Sequence, residues 1–312
     1  MVRAARASKE QPGTFPARSD GARSSPADHP VREESMMNRS LRIACFLICA
    51  ASAAATAGCA ITTGENSITA ETLVRYEGSD ESVRVEYLDN QSVRIVSDNG
   101  DVEVTLGNVE DVVVTFSPFT MRKKDEDRLA KAEMENDLRL AAITDGDVVI
   151  STQTTSGASG YLGADIRVVL PIEFNGALRV EQDNGGVDVD LDGALSRGTT
   201  VVSDNGSIDV VGARGAIDVS TDNGSVFVDL DAWSDTDGSI TSGNGSIELS
   251  VPAGVDGTMT AQTLFGDVVE QGLPSSWATA ANDAGTSYTM GNGDGGHLTL
   301  FTENGDIAVF VK

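Results

Sequence analysis

Beyond about residue 80, apolar and polar residues alternate in short runs that break at glycine, and around one recurring corner the pattern is periodic. Aligned on its glycine, the corner reads Ser97-Asp98-Asn99-Gly100, Gln182-Asp183-Asn184-Gly185, Ser203-Asp204-Asn205-Gly206, Thr221-Asp222-Asn223-Gly224, Ser242-Gly243-Asn244-Gly245 and Thr302-Glu303-Asn304-Gly305, with a degenerate copy at Leu264-Phe265-Gly266. From Gly185 the glycines are spaced by 21, 18, 21 and 21 residues, then by 39, so the period is about 20 residues. Two residues after the glycine stand Val102, Val187, Ile208, Val226, Ile247, Val268 and Ile307; four after it stand Val104, Val189, Val210, Val228, Leu249, Glu270 and Val309. Five before it stand Ile95, Val180, Val201, Val219, Ile240, Ala261 and Leu300. Only Glu270 breaks the alternation, so each unit predicts a short strand, a corner and a second short strand with one buried face.

Glycine takes positive φ without a Cβ clash and asparagine tolerates the left-handed region, which suits the corner. The same pair suits a two-residue hairpin, so the corner leaves a stacked solenoid and an antiparallel hairpin meander both open. Recurrence at one period favours the solenoid, in which Val stacks on Ile and Asn on Asn and no unit stands alone. The expected fold is all-β, a single-domain β-solenoid of stacked coils over residues 71–312. Its interior is expected to hold Val187, Val189, Ile208, Val210, Val226, Val228 and Ile247. Ahead of the repeat, Ser82 to Tyr87, Gln91 to Ser97, Asp111 to Phe116 and Val148 to Thr152 alternate as strands. Between them, Lys124 to Ala142 predicts one inserted helix, with Ala130, Met134, Leu138 and Ala141 as its apolar stripe, a solvated charged face, and Asp145-Gly146 ending it.

The N-terminal part follows no such pattern. Residues 1–35 are rich in Arg, Ser, Ala and Pro and read as a disordered or untranslated leader. Arg32, Glu33 and Glu34, whose codons can be purine-rich like a ribosome-binding site, precede Met36 and Met37, which are the expected starts. In residues 36–58, Arg39 and Arg42 are followed by an apolar run from Ile43 to Ala57 and then by Gly58-Cys59. That is a charged region, a short apolar core and a small-residue cleavage site, shorter than the roughly 20 residues a membrane span needs. Thr56-Ala57-Gly58-Cys59 resembles the lipobox of a bacterial lipoprotein signal, with Thr where Leu is usual. The alternative is an ordinary secretory signal cut near Ala57.

Cysteine usage favours the lipoprotein reading. Cys45 and Cys49 lie in the leader, so cleavage before Cys59 leaves one cysteine, at the new N-terminus and with no disulfide partner. The resemblance implies that Cys59 carries a thioether-linked diacylglycerol and an N-acyl chain, and several chains are what stable anchoring requires. Residues 59–70 then form a flexible tether. Ala60, with no Asp after the cysteine, points to the outer membrane in a cell that has one.

Charge removes one class of function. The 312 residues carry 22 Lys and Arg against 48 Asp and Glu, a net charge of -26, and cleavage before Cys59 would leave 14 against 43. Such a surface repels phosphate backbones, so no nucleic-acid partner is expected. It is also repelled by anionic headgroups, so attachment to the membrane must come from the lipid.

Reactive chemistry is sparse. His297 is the one histidine beyond the leader, too few for a Ser-His-Asp triad or a zinc site. The glycines mark corners and not a phosphate cradle. Carboxylates are abundant: Glu103, Asp188, Asp209 and Glu248 all fall three residues after a corner glycine, and stacking would put Asp188 beside Asp209, where like charges repel or recruit a cation such as weakly bound Ca²⁺. Gly291-Asn292-Gly293-Asp294-Gly295 is similar to a calcium-binding nonapeptide but stands alone where that motif needs tandem copies. No catalytic, cofactor or metal residue is assigned.

The Asn-Gly units, the single helix before Asp145-Gly146-Asp147-Val148, and the ending Gly295-Gly296-His297-Leu298 to Glu303-Asn304-Gly305-Asp306-Ile307 resemble the DUF4097 putative-adhesin family of bacterial β-strand repeat proteins, over roughly residues 73–312. That resemblance implies a β-solenoid and brings no ligand residues with it. The expected function is a non-catalytic, lipid-anchored adhesion or scaffold module of the cell envelope, facing an unidentified envelope polymer or protein. The alternative is a polysaccharide-acting β-helix enzyme using surface carboxylates, with Trp277 and Tyr288 as sugar-stacking surfaces and Asp283 and Asp294 as the acids of the irregular segment 273–296.

Overall fold

The computed structural model describes residues 57–64, 67–155, 161–233, 236–282 and 285–312. The expectations for residues 1–56 lie outside them. The chain divides into two units at Ala55/Thr56, and only the second, Thr56–Lys312, is described here. It is all-β with one helix, its strands joined into a curled, half-barrel sheet.

Within that sheet the repeat units pair in parallel, as two ladders. One ladder aligns the strands that follow the corner: β9 (Gly163–Pro171), β5 (Val102–Gly107), β11 (Val187–Asp190), the first half of β13 (Ile208–Asn223), β14 (Val226–Trp233), β16 (Ile247–Val251), β22 (Ile307–Val311) and β18 (Val268–Gln271). The other aligns the strands that precede it: β8 (Asp147–Thr154), β4 (Val93–Asn99), β10 (Ala177–Asn184), β12 (Gly198–Asn205), the second half of β13, β15 (Gly238–Asn244), β21 (His297–Asn304) and β17 (Gly257–Phe265). Neighbouring units are therefore not joined as an antiparallel meander. The spacing of 18 between Gly206 and Gly224 has a direct cause: β13 runs through both ladders as one bent strand, turning at Gly212 and Gly215, where φ is +73° and +77°.

The alternation is as expected. The residues two and four after each corner glycine are buried, except Val268 and Glu270, and the seven residues five before it are all buried. Together with Phe116, Phe174, Leu162 and Leu191 they make one hydrophobic core. Ile208 is 1% exposed, while its neighbour Asp209 faces solvent.

Order along the ladders departs from order along the chain at both ends. The unit β4–β5 sits between β8–β9 and β10–β11, and the C-terminal unit β21–β22 sits between β15–β16 and β17–β18. The outermost positions thus fall to the two imperfect units. That of β8–β9 has no Asn-Gly corner, and that of β17–β18 carries Phe265 for Asn and Glu270 for an aliphatic residue. At an end, each has a parallel repeat unit on one side only.

The corner itself is held differently from the sequence expectation. None of the corner asparagines has positive φ. Their amides form a ladder instead: Asn184 donates to Asn99 (3.2 Å), Asn205 to Asn184 (3.2 Å), Asn223 to Asn205 (3.1 Å), Asn244 to Asn223 (3.0 Å) and Asn304 to Asn244 (3.0 Å). The glycines are required by close approach, because a Cβ on Gly206, Gly224 or Gly245 would overlap the carbonyl oxygen of Gly185, Gly206 or Gly224. The buried residue three before the glycine ties one corner to the next: the Thr221, Ser242 and Thr302 hydroxyls donate to the carbonyls of Gly206 (3.1 Å), Gly224 (2.8 Å) and Gly245 (2.8 Å).

The inserted helix, α1, is shorter than expected, Asp127–Asp137. Leu138 to Ala142 belong instead to β7 (Leu138–Asp145), paired antiparallel with β8 through the tight turn at Gly146, whose φ is +76°. Leu138, Leu140 and Ala142 fit a period of two as well as part of a helical stripe, and the partner strand decides between them. The charged helix face is not all solvated either: Glu133 is 4% exposed and accepts from Thr120 Oγ1 and Arg122 Nε, each at 2.8 Å.

Residues 57–77, which include the expected tether, pair as β1 (Ala57–Gly64) with β2 (Ser67–Glu77), Cys59 lying opposite Thr72. Cleavage before Cys59 would remove the first two residues of β1.

Candidate functional site

Registering the units side by side turns the outward carboxylates into rows. In the ladder after the corner, Glu103 aligns with Asp188, Asp188 with Asp209, Asp209 with Phe227, and Phe227 with Glu248. Arg167 closes the row, paired with Glu103 at 2.9 Å. Partial burial raises the Asp188 carboxyl above its ordinary range, with Glu103 and Asp190 adding to the shift. The Asp209 carboxyl is raised for the same first reason, then by Asp188 and Glu248. A second row runs along the corners, where burial and then Asp98 and Asp204 raise Asp183. These rows resist full ionisation and attract cations. Among the described residues no three His, Cys, Asp or Glu are grouped so as to hold a metal ion.

The residues considered for chemistry go elsewhere. His297 opens β21 half-buried, its Nδ1 sharing a hydrogen bond with Thr258 Oγ1 at 2.9 Å and its backbone N–H donating to Asp237 Oδ1. Trp277 and Tyr288 do not offer sugar-stacking faces: they are 7% and 1% exposed and fill the core at the β17–β18 end. Tyr288 donates to Glu270 at 2.8 Å, which gives the one carboxylate that breaks the alternation a partner. Burial, first, and that carboxylate raise the Tyr288 hydroxyl far above its ordinary value, so it stays a donor. The loop Gly291 to Gly295 points its backbone inward. Asn292, Gly293 and Asp294 donate N–H groups to Asp256 Oδ1 at 3.0, 2.7 and 3.3 Å, so the loop cradles a carboxylate of its own chain and not a cation.

The sequence reading missed a groove of about 860 Å³ between α1, β7 and the turn at Gly78-Ser79, with Pro118, Met134 and Leu140 on its apolar side and Lys131, Glu135 and Arg139 at its rim. Its signal was present in Ala130, Met134 and Leu138, which line it and which the helical stripe held together. The eighth unit, β8–β9, was also missed, because it has no Asn-Gly to align.

No protein-family model matches the chain and no curated protein matches it. Several solved structures resemble the chain over about three quarters of its length. A "putative cell adhesion protein" from Clostridium sporogenes is 13% identical with a TM-score of 0.44, covering 75% of this chain and 99% of its own. A "putative adhesin" from Bacteroides fragilis is 8% identical with a TM-score of 0.32, covering 75% and 97%. A "putative lipid binding protein" from Parabacteroides distasonis is 10% identical with a TM-score of 0.21, covering 74% and 97%. Likenesses at this level say nothing about what this chain binds. Among the described residues no helix is long and apolar enough to cross a membrane.

Proposed function

We propose that the chain is a non-catalytic adhesion or scaffold module of the bacterial cell envelope, of the DUF4097 type, built as a β-solenoid and anchored by lipid on Cys59. One observation carries the binding reading: the outward carboxylates recur in register along a parallel ladder, Glu103, Asp188 and Asp209 on successive strands. A surface that repeats with the fold suits multivalent contact with an extended partner, and several weak contacts in register add to a firm one. A catalytic site, by contrast, is an exception to its scaffold, and the exceptional aromatic residues here are buried. The carboxylate rows are proposed to take Ca²⁺ weakly and so bridge to acidic envelope polymers.

Two experiments test the reading separately. Cys59→Ser should leave the precursor uncleaved and unlabelled by fatty acid; unchanged membrane partitioning and acyl labelling would remove the anchor. Incubation with soluble glycans should give no turnover, and turnover abolished by changing one specific carboxylate would make the protein an enzyme.

A further inference from the structure

The ladders do not end level. Beyond the last unit, the ladder of preceding strands continues from β17 into β20 (Gly285–Met290) and from β20 into β19 (Ala278–Asn282), both pairings antiparallel. The ladder of following strands stops at β18, whose one partner among the described residues is β22. One sheet edge therefore overhangs the other by two strands. The flank of β18 that faces the step has open backbone groups. Because Ile307 N donates to Asp267 O, strand alternation turns the N–H and C=O of Val268 and Glu270 away from β22.

Two further features mark this step. Apolar side chains stand in solvent beside it: Leu264 is 54% exposed, Phe265 73% and Val269 54%. Phe265 occupies the asparagine position next to Asn304, so the amide ladder stops where the open edge begins. Natural edge strands are blunted with lysine or proline, and β18 has neither. The surroundings are also strongly acidic. Residues 215–311 hold 14 Asp and Glu and no Lys or Arg, all three outermost units lie within them, and Lys312, which follows β22, is paired with Asp229 at 2.6 Å.

We infer that the flank of β18 is a strand-accepting edge, and that its occupant is an extended segment of a partner protein with alternate apolar residues and Lys or Arg between them. Backbone hydrogen bonds to Val268 and Glu270 give affinity, Val269 and Phe265 contact the apolar side chains, and the acidic excess of this end selects for positive charge. A second copy of this chain is disfavoured at the same edge because like ends repel. The inference names a partner class for the adhesive reading and rests on that reading only for its purpose; loss of the Cys59 anchor would leave it intact, and its own failure would leave the anchor intact.

The test is amide hydrogen exchange on the full chain, with a synthetic peptide of about eight residues alternating Val with Lys, and a control alternating Val with Glu. In the free chain Val268 and Glu270 should exchange at least about tenfold faster than Val269, whose N–H is turned toward β22. The Val/Lys peptide should slow both, the Val/Glu peptide neither, and Phe265→Ser should weaken the effect about tenfold or more. No slowing by the Val/Lys peptide, equal slowing by both peptides, or binding without slowing at these two amides would overturn the inference. Protection that rises with protein concentration and no peptide would also overturn it, by assigning the edge to a second copy.

Discussion

The two ends of the ladders close by different means. At the end next to β9, the sheet continues antiparallel into β6 (Val112–Lys123) and on to β2 and β3 (Glu81–Val85), with α1 packed over β6 through Ala130 and the buried Glu133. Charge is balanced there: residues 122–139 hold six basic and six acidic residues. At the other end a single hairpin extends one ladder, the other stops at β18, and residues 215–312 hold 14 acidic residues against Lys312 alone. A middle unit has each of its needs met by an identical neighbour. An end unit has such a neighbour on one side only, so its other side must be covered or left open, and those two outcomes occupy the two ends.

The sharpest way to break the middle is at the corners. Gly224→Ala places a methyl group on the carbonyl of Gly206 and should cost at least about 3 kcal/mol in urea unfolding. Gly254→Ala, with nothing within 4 Å of the added carbon, should change stability by less than about 0.5 kcal/mol. Next in size, Ile208→Ala should cost about 2–5 kcal/mol as a buried deletion, while Asp209→Ala one residue away should cost about 0.5 kcal/mol or less. Equal sensitivity at the two positions would contradict the alternation.

The ends should respond less, and unequally. Glu133→Ala strips Thr120 and the partly exposed Arg122 of a partner and should cost about 1–3 kcal/mol, whereas Glu135→Ala on the open face of the same helix should fall within about 0.5 kcal/mol. Phe265→Ser at the open end should leave the unfolding midpoint nearly unchanged, since its ring is 73% exposed. A large loss there would mean that the open end is covered.

Acidity separates the carboxylate rows from the ion pairs. Asp183, Asp188 and Asp209 are raised by burial and like charges, so ionising them opposes folding. Stability should rise as pH falls from neutrality through their raised values, and this gain should stop below the ordinary carboxylate value of about 4. Glu181 works the other way. The Arg94 hydrogen bond, ahead of that from Arg179, lowers it against the effect of burial, so its contribution is present above the ordinary value and is lost as pH falls through the lowered one. Replacing Asp188 and Asp209 together with Asn should flatten the rise in a pH series of unfolding midpoints. A series that is already flat in the parent chain would remove the repulsion.

How much of this was legible in the sequence follows the same division. Wherever a unit has two like neighbours, the residue pattern was enough: the buried set from Ile95 to Val309 and the pairing of Asp188 with Asp209 follow from period and alternation alone. At the ends the pattern misled, because a terminal unit is specified by what it lacks. The unit β8–β9 has no Asn-Gly to align, Leu138 to Ala142 satisfy both a helix and a strand until β8 pairs with them, and Trp277 and Tyr288 are buried at a hairpin, β19–β20, that lies outside the repeat. The exchange of order at each end had no local signal. At the β17–β18 end it leaves Glu270, on β18, on the strand with one partner among the described residues, where the carboxylate is met by Tyr288.

The order of the last three units is the feature on which both the parallel ladders and the open edge depend, and engineered disulfides read it directly. In a background with Cys45, Cys49 and Cys59 replaced by Ser, Thr241→Cys should form a disulfide with Phe301→Cys, its registered neighbour on β21, and should not form one with Gln262→Cys, which is registered to Phe301 on the far side. Disulfides need Cα atoms within about 7 Å, and two strand spacings are nearly 10 Å, about 4.8 Å each. Oxidation of the Thr241/Phe301 pair alone is the predicted result; oxidation of the Thr241/Gln262 pair instead would place the units in chain order and contradict the account.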